Sequence, residues 1–270
     1  AKHGGHMEII PKIENLAGVN NFDAILAVSD GIMVARGDLG VEVPAEDVPV
    51  IQKEIIRKCN AVGKPVIVAT QVMDSMIKNP RPTRAEASDC ANAILDGADA
   101  VMLSGETSVG AFPIETVRTM AAIIESTEEN GGERIASIPG FFADRAGVIC
   151  EAAARIAEHM DARYLVTFTQ SGDSARRLAR LRPETPVVAF TTSSKVRSFL
   201  SMLWGVEAEQ VEMITDQEAI FTFVDEYLLK NGLAEAGDLV VVAAGAPAGR
   251  AGTTNMVQVH RVYGAEGERE

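Results

Sequence analysis

The chain has 270 residues, 47% hydrophobic and 23% charged, the balance of a soluble globular protein with room for one large domain or two ordinary ones. A formal net charge of −13 excludes nucleic acid and anionic membrane as partners unless a local basic patch intervenes. Three scattered cysteines (Cys59, Cys90, Cys150), no apolar run near the ~18–20 residues that span a bilayer and no apolar stretch of a signal peptide in Ala1–Met7 predict reduced thiols and a cytoplasmic location.

Up to about residue 125, short apolar runs alternate with helix-length amphipathic segments. Strands are predicted at Glu8–Ile13, Gly31–Ala35, Pro65–Ala69 and Ala100–Leu103, each nearly continuous in apolar residues as in parallel strands buried on both faces. Val48–Asn60 is the clearest helix, with Val48, Ile51, Ile55, Ile56 and Cys59 at helical spacing and Gly63 as its stop signal. Four such units in a row make either half of a (β/α)₈ barrel or part of an open doubly wound sheet.

The polar, glycine-containing run Glu125–Glu133 predicts a boundary: a first domain over 1–127, a linker over 128–140, a second α/β domain over 141–263 and a flexible tail over 264–270. In the second domain Phe141–Met160 reads as helix, and Ala162–Thr169, Pro186–Thr191, Leu239–Ala244 and Met256–Val262 as strands. Further helices are predicted at Ser174–Leu181, Lys195–Trp204 and Asp216–Asn231.

Polar residues recur at the carboxyl ends of the first domain's strands: Lys12 and Glu14, then Asp38, Thr70 and Ser104, about one β/α unit apart. Parallel α/β folds gather those ends on one face, where ligands bind. Lys12 and Glu14 are two apart and point to the same side of a strand. Two carboxylates with a lysine beside them suit a hard divalent cation and an anionic group bound to it. Each residue also has a bland reading: Thr70 as a helix N-cap, Ser104 as a turn former, the charges as solvated strand ends. Their recurrence on one face is what favours a site.

Ile9-Ile10-Pro11-Lys12-Ile13-Glu14-Asn15 closely resembles the signature around the catalytic lysine of pyruvate kinases. Met33–Gly40, Ala69–Gln71, Asn79–Glu86 and Met102–Thr107 follow in the family's order and spacing, and the resemblance runs on to Gly252–Met256. It implies a partial TIM barrel (strands five to eight) followed by a smaller α/β regulatory domain with a mostly parallel sheet. It further implies that Glu14 and Asp38 ligate Mg²⁺ or Mn²⁺ and that Lys12 stabilises the phosphoryl group passing between phosphoenolpyruvate and ADP, giving pyruvate and ATP. The Gly37 and Asp38 amides with the Thr70 hydroxyl would hold the pyruvate carboxylate. Thr70 and Ser104 would belong to the network that protonates the enolate, and Arg84 and Glu86 would brace the site.

The family's ADP-binding arginine, K⁺ ligands and lid domain match no part of these residues, so the chain alone is expected to be inactive. Thr169, Gln170, Ser171, Gly172 and Ser174, with a late loop at Ala246–Thr253, resemble the family's effector pocket for a phosphorylated metabolite. A strand-to-helix turn offers backbone amides to a phosphate, though the serines would serve equally as N-caps. Asp173 stands where many relatives carry a basic residue, which argues against a bisphosphate; Arg176 and Arg177 are the candidates to compensate. A homotetramer is implied by the resemblance. The competing readings are a non-catalytic assembly module and a pyruvate aldolase or lyase on the same type of barrel.

Overall fold

Ile32–Ala35 (β2) and Val66–Ala69 (β3), the most apolar runs of the N-terminal half, are adjacent parallel strands in register Val34↔Val68. The computed structural model describes residues 7–131, 135, 144–214, 216–245 and 254–264. The chain divides into two units, Ala1–Ile138 and Pro139–Glu270.

In the first unit β1 (Lys12–Ile13), β2, β3 and β4 (Ala100–Met102) form one all-parallel sheet in chain order. Between them run α1 (Leu16–Asn20), α2 (Phe22–Val28), α3 (Arg36–Glu42), α4 (Val48–Ala61) and α5 (Arg84–Leu95). After β4 come α6 (Gly105–Ser108) and α7 (Pro113–Gly131). Alternate side chains Ile13, Ile32, Val34, Val66 and Val68 are buried against Phe22, Leu26, Ile55, Ile56, Cys59 and Ala93. Gly63 ends α4 as expected: its φ of +66° turns the chain so that its N–H and that of Lys64 satisfy the Asn60 and Cys59 carbonyls. A second cluster, Val72, Met73, Met76 and Cys90, packs a 3₁₀ turn (Asp74–Ile77) against α7 residues Met120, Ile123 and Ile124.

The second unit is a five-stranded sheet in the order β7-β6-β5-β8-β9, parallel except that β9 (Thr254–Arg261) runs antiparallel to β8 (Leu239–Gly245). Its other strands are β5 (Tyr164–Phe168), β6 (Val187–Thr191) and β7 (Val206–Gln210), and its helices α8 (Arg145–His159), α9 (Asp173–Arg180), α10 (Ser194–Leu200) and α11 (Gln217–Lys230). Both faces are covered. Leu165, Val187 and Val241 pack with Cys150, Ala153 and Leu178 on one side, while Val166, Phe190 and Val242 pack with Val224 and Leu228 on the other. Phe190 is the hub of the second cluster, with the rings of Phe168, Phe223 and Tyr227 at 4.9–5.0 Å.

Several local expectations differ from what forms: β1 covers only Lys12–Ile13 rather than Glu8–Ile13, and α10 ends at Leu200 rather than at Trp204. α7 continues to Gly131, past the start of the predicted linker, because its polar residues lie on exposed turns and Thr127 folds its hydroxyl back onto the Ile123 carbonyl (2.6 Å). α8 begins at Arg145 rather than at 141, where the Asp144 side chain caps it by accepting from the Gly147 N–H (2.8 Å). β7 was not expected. It is an edge strand of alternating burial whose glutamates interrupt any apolar run. Residues 132–134, 136–143 and 265–270, on which the rest of the linker and the tail fall, lie outside the described residues.

Candidate active site

β1 carries Lys12 and the chain leaves it at Glu14; the first turn of α3, directly after β2, carries Gly37 and Asp38. The parallel register brings these segments together. Lys12 Nζ sits 2.6 Å from Glu14 Oε2 and 3.8 Å from Asp38 Oδ2. The hydrogen bond and charge of Glu14, and then Asp38, hold the ammonium above the ordinary lysine value, against a smaller opposing effect of burial, so Lys12 stays a cation. Glu14 Oε2 is shielded from solvent and faces the Lys12 ammonium. Two carboxylates converging on one positive point supply the oxygen donors that a hard divalent cation takes. No group of three or more His, Cys, Asp or Glu suited to a metal occurs among the described residues, so waters or substrate would complete such a shell.

At the end of β3, Thr70 accepts from the Gly37 N–H (2.7 Å) and donates to the Ala69 carbonyl (2.7 Å). A Cβ at position 37 would stand 3.3 Å from Thr70 Oγ1, so glycine is what permits this approach. Thr70 and Gln71 have φ of +66° and +55°. For residues with a Cβ, and for a β-branched one above all, this region costs on the order of 1–3 kcal/mol each and persists only where neighbours enforce it. The enforcing neighbour is Arg36, a residue that motif reading passed over. Its Nη1 donates to both carboxylate oxygens of Asp89 on α5 (2.7 and 2.6 Å), and its Nη2 to the Thr70 and Gln71 carbonyls (3.0 and 3.4 Å).

Ser104 caps α6 at the end of β4. Its N–H donates to Glu106 Oε2 (2.8 Å), while Glu106, 2% exposed, also accepts from the Met73 N–H (3.2 Å). A buried carboxylate thus ties the ends of β3 and β4 together. The Ser104 hydroxyl makes no hydrogen bond among the described residues and does not join the Gly37–Thr70 pair directly. Arg84 opens α5.

Glu86 accepts from the N–H and hydroxyl groups of both Ser75 (2.7 and 2.5 Å) and Thr83 (2.7 and 2.9 Å), fixing the 3₁₀ turn to α5. Burial pushes this carboxyl upward, but those hydrogen bonds outweigh it and leave the group below its ordinary value of 4.5. A depressed folded-state value gives stability that is full above the ordinary 4.5 and lost as pH falls from there through the lower folded-state value. Urea unfolding is therefore expected to show the gap between the wild type and Glu86→Gln shrinking as pH is lowered through that point. A constant gap contradicts the assignment.

In the second unit the Thr169 hydroxyl accepts from the Gly172 N–H (3.0 Å), and Gly172 has φ +82° where a Cβ would meet Leu200 at 3.2 Å. Gln170 Nε2 lies 4.0 Å from Met213 Sδ, and Ser171 is exposed. The Ser174 hydroxyl points inward to Thr254 Oγ1 (2.6 Å, both residues buried). Arg177 is committed to Asp173 (2.6 Å) and Asp144 (2.7 and 3.0 Å), and Arg176 lies over the Phe199 ring. The expected late loop, 246–253, lies outside the described residues.

A parallel β/α sheet with charged and hydroxyl side chains gathered at its carboxyl ends is the arrangement of an α/β enzyme, in a barrel or in an open sheet. The family models described as "Pyruvate kinase, barrel domain" and "Pyruvate kinase, alpha/beta domain" match residues 1–117 and 147–260. The pyruvate kinase of Mycobacterium intracellulare is 52% identical over 261 residues, and that of Clostridium acetobutylicum 51% over 272, each alignment covering 96% of this chain and 55% of the relative. A solved pyruvate kinase from Cryptosporidium parvum superposes with a TM-score of 0.85 at 39% identity, over 94% of this chain and 51% of that one. The chain belongs to the pyruvate kinase family of phosphotransferases, and it spans about half the length of the curated relatives it matches. The fold is a partial (β/α)₈ barrel followed by an α/β domain.

Proposed function

We propose that this chain carries the phosphoenolpyruvate-handling wall of a pyruvate kinase active site, part of a protein that transfers a phosphoryl group from phosphoenolpyruvate to ADP in the last step of glycolysis. The observation that carries the reading is the Lys12 ammonium held between Glu14 and Asp38, next to the Gly37–Thr70 pair. Glu14 and Asp38 would hold Mg²⁺ or Mn²⁺, which when bound supplies charge to neutralise enolate and phosphoryl oxygens. Phosphoryl transfer asks mainly for positioning and charge stabilisation, and a permanently protonated Lys12 meets the transferring group with a fixed positive donor. The Gly37 N–H now donates to the Thr70 hydroxyl, which in turn donates to the Ala69 carbonyl, so neither donor is stranded when the site is empty; a substrate carboxylate would take over as acceptor for both. Ser104, its hydroxyl unengaged, is available with Thr70 to relay a proton to the enolate carbon.

The test is binding of oxalate, a planar dianion shaped like enolpyruvate, by calorimetry on the full-length protein. Binding is expected only with Mg²⁺ or Mn²⁺ present and is expected to be lost in Glu14→Ala. Metal-independent binding, or binding that survives Glu14→Ala, contradicts the site. The 270-residue chain alone is expected to give no turnover, since the resemblance assigns ADP and K⁺ to segments that match nothing here; a normal rate from it refutes that.

In the second unit, Thr169, Gln170, Ser171, Gly172 and Ser174 form the proposed turn for a phosphorylated-metabolite effector. With Arg177 neutralised by two carboxylates and Ser174 turned inward, the donors at the turn are backbone amides, the Gln170 amide and the exposed Ser171, none of them charged, which suits one phosphate rather than two. A cytoplasmic homotetramer completes the proposal. No helix among the described residues is long and apolar enough to cross a membrane.

A further inference from the structure

Arg36 connects three elements: α3, α5 and the segment that follows β3. Its backbone opens α3 and immediately precedes the Gly37 N–H that holds the Thr70 hydroxyl. Its guanidinium, on a side chain 10% exposed, is anchored by Asp89 on α5 and turns its second nitrogen onto the carbonyls of Thr70 and Gln71. Gln52 Oε1 lies 3.5 Å from the first nitrogen. Thr70 is therefore gripped at both ends from one stretch of chain: hydroxyl by residue 37, carbonyl by residue 36. The two residues whose carbonyls Arg36 holds are also the two consecutive non-glycine residues with left-handed backbone. A planar guanidinium can pair with a carboxylate on one edge and reach two carbonyls with the other nitrogen; an ammonium cannot do both.

We propose that Arg36 is a positioning residue: it clamps the left-handed Thr70–Gln71 backbone and so aims the Thr70 hydroxyl at the reacting carboxylate. This rests on the site reading above. Arg36 itself touches no reacting atom, because its two terminal nitrogens are taken by Asp89 and the two carbonyls and its Nε is buried. Its influence on chemistry runs entirely through the backbone conformation it enforces. That makes a distinctive demand: whatever relieves the cost of φ > 0 at position 71 should make Arg36 less necessary. Glycine does this, since it adopts positive φ without a Cβ penalty.

The experiment compares Arg36→Met and Arg36→Lys in the full-length protein, each with and without Gln71→Gly, by kcat and by KM for phosphoenolpyruvate and for ADP. Arg36→Met is expected to lower kcat by about 100-fold, the scale of a misplacement of roughly 1 Å at a reacting group, and to leave the KM for ADP within about twofold. Gln71→Gly is expected to have little effect alone and to restore about tenfold in the Arg36→Met background. The same loss in both backgrounds overturns the clamp, as does an unchanged kcat. If Arg36→Met does not fold, Arg36→Lys carries the same comparison, keeping a charge opposite Asp89 but losing the paired carbonyls. Oxalate binding by the wild type separates the two levels. Its absence removes the site reading, whereas its presence with no kinetic effect at Arg36 removes the clamp alone.

Discussion

Lys12→Met in the full-length protein is expected to lower the rate of phosphoryl transfer by about 10³-fold while moving the thermal midpoint by no more than about 2 °C. The two halves of that expectation come from different physics. A positioned donor that meets charge developing in a transition state is worth about 10²–10³ in rate, and a cationic one acting on a phosphoryl group about 10³–10⁵. On the function proposed above Lys12 is such a donor, its ammonium form favoured by Glu14 and Asp38. The same ion pairs add little to stability, because the lysine side chain is 51% exposed and water screens it. Steady-state kinetics beside a thermal melt reads both quantities. A loss of less than tenfold would mean that the ammonium is a bystander.

Phe190→Ala is expected to destabilise the second unit by about 3–5 kcal/mol, the range for emptying a buried aromatic site. Phe190 is 1% exposed in β6, and its ring meets Phe168 of β5 and Phe223 and Tyr227 of α11, so the cavity is walled by a strand and a helix that cannot both collapse into it. Lost edge-to-face pairing adds to the lost burial. The measurement is simple because Trp204 and all three tyrosines (Tyr164, Tyr227, Tyr263) lie in this unit. Urea unfolding followed by intrinsic fluorescence therefore reports on it directly. A shift below about 1 kcal/mol would show that the aromatic cluster is not what holds the α11 face of the sheet.

The strands were legible because buried parallel strands must be apolar throughout, and Ile32–Ala35 and Val66–Ala69 have nowhere to hide a polar residue. β7 escaped for the converse reason: as an edge strand it tolerates Glu207 and Glu209. α3 was also hidden, since Arg-Gly-Asp-Leu-Gly reads as a turn by propensity, and tertiary contacts through Leu39 and the Arg36 side chain override it. Of the site, Lys12, Glu14 and Asp38 were readable from spacing on strand ends, and the structure brings them within one ion-pair cluster. What spacing could not reveal is support. Arg36–Asp89 spans 53 positions and Glu106–Met73 spans 33, and neither pair has a local pattern. The signal that would have pointed to Arg36 is an arginine flanked by apolar strand residues and glycine, a charge with no nearby sequence partner to explain its burial.

The three cysteines have a practical consequence. Cys59, Cys90 and Cys150 sit in three different packed clusters, and burial raises their thiols to about 12, about 11 and about 12. At pH 8 fewer than roughly one in 10³ would be the reactive thiolate, so alkylating reagents should scarcely touch the native protein. Each becomes labelled only when its own cluster opens. Pulsed labelling read by peptide mass would then time the opening of three separate cores in one unmodified chain.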